Sequence, residues 1–404
     1  MAVGLPAVPE LHPVAGIRLG TAAAGIRKPD RADLLIIEMQ AGGLAAAAFT
    51  RNRFCAAPVQ IARKHLQAQS PRYCLINSGN ANAGTGTAGY QAALDCCAAV
   101  AALTATNIEN ILPFSTGVIG EPLPLDRIYA RLPDALADLG PDNWLAAARA
   151  IMTTDTLPKG YSLSRSINGQ TVTFTGIAKG AGMIKPNMAT MLAFMATDAQ
   201  LPQDLIQNCL DEVVDKTFNR ITIDGDTSTN DACLLLASGK SVTIAADDTD
   251  ALNIFRSAVF ELASRLAQAV VRDGEGATRF VTIAVAEGQN EHECLQIAYA
   301  IAESPLVKTA LFAADPNWGR ILAAIGRSGP EDMDINLVTI HLDDVCLARE
   351  GGRALDYQEA AAQAVMSKPE FTIHVNLGRG NATTSVWTCD LSYDYVRINA
   401  EYRT

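Results

Sequence analysis

Apolar and polar positions along the 404-residue chain alternate between two periods. Short aliphatic and β-branched runs, bounded by Gly, Pro, Asn and Asp, read as strands buried on one or both faces. They predict strands over Asp33–Glu38, Ala45–Thr50, Tyr73–Asn77, Thr171–Ala178, Met191–Thr197, Arg279–Ala286, Asp334–Leu342 and Phe371–Leu377. Ala- and Leu-rich stretches between them repeat at helical spacing. They predict helices over Gly89–Leu103, Leu125–Leu139, Gln203–Phe218, Asp248–Val271, Pro305–Ala314 and Tyr357–Met366. The 248–271 segment is the clearest: Asp and Thr open it, and Leu252, Phe255, Val259, Leu262, Leu266 and Val270 form one stripe. Asp273-Gly274 then supplies a glycine stop signal. Such alternation of strands and helices places the chain in the α/β class. No repeat, low-complexity tract or long linker interrupts it, and the sharpest break in composition is the glycine-rich stretch at 179–187.

Composition narrows the function classes. Hydrophobic residues make up 49% and charged residues 19%, which supports a large core and excludes global disorder. The net charge of −11 argues against a nucleic-acid partner, because a broad basic face cannot be assembled from it. No 18-residue stretch is free of charged or strongly polar groups, so no membrane span is expected. The N-terminal MAVGLPAVPELHPVAG lacks a basic segment followed by an apolar one, which excludes a signal peptide and implies the cytoplasm. The nine cysteines form no CxxC pair and sit mostly in apolar runs, as small buried hydrophobes in a reducing compartment do.

Common chemistries find little support. Gly84-Thr-Gly86-Thr-Ala-Gly89 matches GxGxxG, but Ser78–Ala83 separates it from the preceding strand, where a dinucleotide site needs the glycines at once. Gly239-Lys240-Ser241 resembles the end of a phosphate loop, yet Leu234 stands where the first glycine is required. His292-Glu293 begins a zinc-protease string that Gln296 breaks, the other histidines show no ligand spacing, and no GxSxG occurs.

The segment that remains is Lys179-Gly-Ala-Gly-Met-Ile-Lys-Pro-Asn-Met-Ala189-Thr190-Met. Taken alone, Thr190 is a β-branched residue opening a buried strand. If the Ala189–Thr190 bond is cut, however, Thr190 gains a free α-amine beside its hydroxyl. That amine, with a pKa of about 8, serves as base without any histidine. The cut itself would come from the Thr190 hydroxyl attacking the Ala189 carbonyl, an N-to-O acyl shift favoured by a strained loop. Gly180 and Gly182 offer the unusual backbone angles such a loop needs.

Over essentially its whole length the chain resembles the ornithine acetyltransferase family of arginine biosynthesis, the bifunctional glutamate N-acetyltransferases/amino-acid acetyltransferases. The resemblance is carried by Ala23-Ala-Gly-Ile-Arg27 with Arg31-Ala-Asp33, Phe49-Thr-Arg51-Asn52, and Asn77-Ser-Gly-Asn80-Ala-Asn-Ala-Gly84. Ser115-Thr-Gly117-Val-Ile-Gly120, Met152-Thr-Thr-Asp155-Thr156 and the KGAGMIKPNMATML segment follow. Asp224-Gly-Asp226-Thr-Ser-Thr-Asn230-Asp231, Asp273-Gly-Glu275-Gly-Ala-Thr278, Asp315-Pro-Asn-Trp318-Gly-Arg320 and Ile398-Asn399-Ala-Glu-Tyr402-Arg-Thr404 complete it.

The resemblance implies layered sheets covered by helices, an N-terminal-nucleophile-like sandwich. It implies an α chain of residues 1–189 and a β chain of 190–404, interlocked in one catalytic unit and paired as a heterotetramer of two α and two β chains. The acetyl group of N2-acetylornithine would pass to glutamate through acetyl-Thr190. Thr116 and Gly117 would form the oxyanion hole, and Thr153, Lys179, Thr190, Glu275, Asn399 and Thr404 would contact substrate. A β-rich C-terminal third, ending in Val375–Arg403, would return the last residues to the site. No cofactor is implied, and acetyl-CoA stays open as a second acetyl donor. Two other readings stand beside this one: an amidase or peptidase of the same self-cleaving type with water as acceptor, and a nucleotide-binding protein built on the Gly84–Gly89 turn.

Overall fold

The computed structural model describes residues 2–185, 191–328 and 332–401. Two sheets stack face to face at its centre. One has the strand order Ile17–Ala22, Leu34–Met39, Tyr73–Asn80, Ile111–Val118. The other runs Leu44–Phe49, Ala232–Ala237, Leu192–Thr197, Gln170–Lys179, Lys159–Ile167.

Strand periodicity explains why strands such as Leu34–Met39, Leu192–Thr197 and Ala232–Ala237 are apolar on both faces. Successive side chains point to opposite faces. In the first sheet Leu35 and Ile37 meet the second sheet, while Leu34 and Ile36 meet the outer helices, Gly86–Thr104 and Leu125–Ala137. In the second, Leu192, Phe194 and Ala196 face the first sheet. Ala193 and Met195 face the helices Gln203–Lys216 and Thr249–Arg272. The result is helix, sheet, sheet, helix: four layers enclosing three apolar interfaces. Phe114 and Phe194 meet edge to face across the middle one, their ring centroids 5.2 Å apart.

A third sheet of seven strands is built around Phe280–Gly288, which pairs parallel with Glu370–Asn376 and antiparallel with Ala382–Cys389. The helices Glu291–Ala302, Pro305–Ala313 and Trp318–Gly326 cover it over a separate core. No helix among the described residues is long and apolar enough to cross a membrane.

Several expectations need correction. The Asp334–Leu342 strand is confined to Thr339–Leu342, because a turn closed by Asp334 on the Asn336 backbone precedes it. The β-rich ending stops at Cys389, and the described residues end in the helix Tyr393–Glu401. That reversal is set by Asp390, whose carboxylate accepts the Thr278 and Arg279 N–H groups at 2.7 and 2.9 Å and so ends the strand. The long helix is capped at its start by Asp248, which accepts the Ala251 N–H. Its glycine stop is not a left-handed cap, since Asp273 closes it at φ −100°. Gly274 instead leaves room for Cys389, whose sulfur a Cβ would meet at 3.2 Å.

Removing the aromatic contact between the two stacked sheets should be costly. Phe194→Ala is expected to lose about 3–5 kcal/mol of stability, read from urea unfolding.

Candidate active site

The Gly84–Gly89 turn is filled by its own side chains. Asn82 Nδ2 donates to the Gly89 carbonyl at 2.8 Å and the Thr85 hydroxyl donates to Asn82. A Cβ at Gly89 would fall 1.8 Å from the Thr85 hydroxyl oxygen. That glycine therefore makes room for protein atoms rather than for a pyrophosphate.

A cavity of about 260 Å³ opens elsewhere, where the ends of strands from both stacked sheets meet the 273–279 loop and the C-terminal helix. Thr116, Gly117, Thr153, Lys179, Glu275 and Asn399 all line it. Ala189, Thr190 and Thr404 lie outside the described residues. Ile184 and Met191, on either side of the first two, also line the cavity.

Thr116 and Gly117 end a strand that runs parallel to Tyr73–Asn80, and the register shifts at Gly79–Asn80. Such a bulge re-aims the groups at a strand end. Gly117 has φ +134°, and a Cβ there would lie 2.3 Å from the Gly79 carbonyl carbon, so no other residue fits. Asn230 fastens this corner to the other sheet by donating to the Ala81 and Ser115 carbonyls at 2.6 and 3.0 Å.

Lys179 ends its strand in register with Leu192, and its Nζ donates to the Thr116 hydroxyl at 3.2 Å. With its oxygen accepting from Lys179, Thr116 keeps its own proton for an acceptor in the cavity. Burial lowers the Lys179 pKa against the pull of Asp155.

Glu275 and Asn399 form the opposite wall, with Asn399 Nδ2 donating to Glu275 Oε2 at 2.7 Å. Gly182 leaves space for that carboxylate, since a Cβ would come within 2.5 Å of it. Ser392 and Asp390 hold the start of the C-terminal helix against the Glu275 loop.

Four acids and a lysine went unassigned from sequence, although all stand inside strings that carry the resemblance or beside them. Asp155 and Asp273 bracket the fully buried Lys159, whose Nζ lies 2.6 and 2.7 Å from their oxygens. Asp155 also accepts the Gly180 N–H at 2.7 Å and the Thr153 N–H at 2.9 Å. Burial alone would raise the Asp155 pKa, but Lys159 and Lys179 hold it well below the usual carboxylate range. Asp224 grips the other end of the glycine-rich segment through the Met183 and Ile184 N–H groups at 2.6 and 2.9 Å. This holds Met183 at φ +56°, a strained angle for a side-chain-bearing residue.

Asp231 is the fourth acid. It lines the cavity, is 3% exposed, and its Oδ2 has no hydrogen-bond partner among the described residues. Burial raises its pKa well above the ordinary value, outweighing Ser228 and Lys179. Only the Asp155/Lys159 spacing of four residues hinted at any of these pairings.

Two outcomes test these electrostatics. Lys159→Met leaves two buried carboxylates uncompensated and is expected to cost about 3–5 kcal/mol at neutral pH, measured by denaturant unfolding. Asp231 ionises near pH 3.9 in the unfolded chain but keeps its proton to higher pH in the fold. Folding takes up that proton in the window between, so Asp231 costs stability as pH rises through it. Asp231→Asn should therefore gain on the wild type in urea midpoint from about pH 4 toward neutrality. A constant difference across that range would mean the buried acid is ionised.

The sequence pattern of the ArgJ family matches residues 18–404. The arginine biosynthesis bifunctional protein ArgJ of Pseudomonas fluorescens is 54% identical over 406 residues, covering all of both chains. That of Methylococcus capsulatus is 57% identical, covering 98% of this chain and 97% of the other. Among solved structures, ArgJ from Bacillus halodurans is 40% identical at a TM-score of 0.49, covering 52% of this chain and 98% of that one. The ornithine acetyltransferase from Mycobacterium tuberculosis, solved with ornithine, is 34% identical at a TM-score of 0.39 and covers 46% of this chain and 98% of its own. With a match running from residue 18 to the last residue and relatives above half identity over the full length, the chain belongs to the ArgJ family.

Proposed function

We propose that this protein is a self-cleaving acetyltransferase that moves the acetyl group of N2-acetylornithine to glutamate, with Thr190 as the nucleophile. The observation that carries the reading is the convergence of Thr116, Gly117, Thr153, Lys179, Glu275 and Asn399 on one cavity flanked by Ile184 and Met191.

Maturation begins with the Thr190 hydroxyl attacking the Ala189 carbonyl. As the amide becomes an ester its C–N bond breaks and frees the Thr190 amine; water then cleaves the ester, leaving Ala189 as a carboxylate and returning the Thr190 hydroxyl. The pieces are residues 1–189 and 190–404. In turnover the Thr190 oxygen attacks the acetyl carbonyl and its proton passes to the α-amine. The Thr116 hydroxyl and Gly117 N–H take the charge on the carbonyl oxygen. Ornithine leaves with the proton. The α-amine of glutamate then attacks the acetyl ester and frees Thr190.

Recognition falls to the polar groups around the cavity. Lys179 suits a substrate carboxylate and Glu275 an amino group, while Asn399 and Thr404 fix polar ends. The steps need no cofactor, and acetyl-CoA serves as a second acetyl donor, a role in keeping with relatives named bifunctional. The assembly is two α and two β chains, working in the cytoplasm.

Intact mass of the active enzyme is expected to give two chains of about 20 and 23 kDa, whereas Thr190→Ala stays one inactive chain. Purified, active, uncut wild type would end the maturation scheme. Acetylornithine should be consumed only when glutamate is supplied, and consumption without it would favour the amidase. Thr116→Ala is expected to fold normally and turn over about 10²-fold more slowly, measured as kcat. Removing Thr404 should raise the KM for acetylornithine while cleavage proceeds, and an unchanged KM would take that residue out of the site.

A further inference from the structure

Residues 183–185 lead into the proposed cleavage segment and are gripped by chain that follows residue 190. Asp224 takes the Met183 and Ile184 N–H groups. The Ile184 carbonyl accepts the Ile223 N–H at 2.8 Å, and the Lys185 carbonyl accepts the Thr227 hydroxyl at 2.9 Å. The Lys185 side chain reaches the helix Glu291–Ala302, which covers the third sheet. Its Nζ lies 2.8 Å from Oε2 of Glu303, the residue that ends that helix, and 5.5 Å from the centre of the Tyr299 ring. Tyr299 is fixed in turn, donating its hydroxyl proton to the Asn219 carbonyl at 2.6 Å.

Lys185 is thus held by its backbone and by its charge. A carboxylate and the face of a ring together fix an ammonium in direction as well as in place. Pro186 follows in the sequence, and a residue before proline is confined to extended backbone. On the far side, the Met191 carbonyl accepts the Ala232 N–H at 3.0 Å, which pins the start of the strand Leu192–Thr197. Only residues 186–190 join these two anchored ends. An N-to-O shift needs the Thr190 hydroxyl set against the carbonyl just before it, a geometry that a loose chain seldom visits. Fixing both ends of a short connection removes most of that entropic cost before the reaction begins.

We propose that Lys185, seated on Glu303 and Tyr299, is a positioning residue for self-cleavage that fixes the leading end of the segment for attack by Thr190. The proposal rests on the self-cleavage reading for its chemistry. The oxygen–carbon bond forms as the carbon–nitrogen bond breaks and the hydroxyl proton passes to nitrogen, while Lys185 exchanges nothing. Lys185, Glu303 and Tyr299 do not line the substrate cavity, so their effect is confined to maturation.

The test follows cutting of freshly made full chain, by cell-free synthesis with a pulse of label and timed samples on a denaturing gel. Lys185→Met and Glu303→Gln should each lengthen the half-time of cutting by about tenfold. Lys185→Arg, which keeps a cation for the carboxylate and the ring, should cut at close to the wild-type rate. Both partners are partly exposed, so the urea midpoint in a Thr190→Ala background should barely move. Once fully cut, the variants should match wild type in kcat and in KM for acetylornithine. Wild-type half-times in both single variants, or an arginine variant as slow as the methionine one, overturn the proposal. So does a slowing matched by an equal loss of kcat in fully cut enzyme, which would mark a general structural role. Wild type that never cuts overturns the self-cleavage reading and this proposal with it, whereas wild type that cuts while the variants keep pace overturns this proposal alone.

Discussion

Lys159 is an ammonium group shut inside the protein between two carboxylates, and the geometry of the cavity depends on it. Asp155 and Asp273 each use remaining acceptor capacity on backbone: Thr153 and Gly180 for the first, Thr156 for the second. The triad thereby ties a turn before one strand, the end of the next, and Asp273, the residue that caps the end of the long helix. Two residues beyond that cap stands Glu275. Without the ammonium, two carboxylates would face each other in a dry interior, and each would have to take a proton or drag its segment toward water. Replacing the triad with packed apolar side chains would cost little in burial, but it would leave the Gly180 and Thr153 N–H groups without their acceptor.

Close backbone approach is the second constraint. At Gly117 and Gly182 a single methylene would collide with the neighbouring strand or with the Glu275 carboxylate. These glycines let the site be narrow enough for a hydroxyl, an amide and an ammonium to share one small volume. In such a space each dipole counts for more than it would in water.

The sheet strands were legible because burial on both faces leaves continuous aliphatic runs, as in Leu34–Met39 and Leu192–Thr197. The long helix was legible because one face of it is polar. Lys159–Ile167 escaped because its serines and arginine break the apolar pattern on an edge strand, and Ala232–Ala237 because a run of alanine and leucine fits either period. The C-terminal helix has no buried stripe to announce it. For the site, the resemblance supplied residues that the cavity brings together, while composition and spacing alone would have left Lys179 and Glu275 as ordinary charges. Asp224 and Asp231 stayed hidden because an aspartate in a turn looks the same whether it faces water or holds a strained backbone.

The strand order of the five-stranded sheet carries one more consequence. Its neighbours Ala232–Ala237 and Leu192–Thr197 follow residue 190, and both are flanked by strands that precede it, Leu44–Phe49 on one side and Gln170–Lys179 on the other. Opening the chain between 189 and 190 would cut a connection without freeing a piece, because neither part could leave without unzipping the sheet. The uncut chain would thus act as its own template: the halves meet at the effective concentration of a tether while the sheet forms, and the tether is dispensable afterwards. The same two pieces made separately would have to find each other in solution, each exposing the strand edges the other covers. Aggregation would compete with that search, so a cut at this point would have to follow folding rather than precede it.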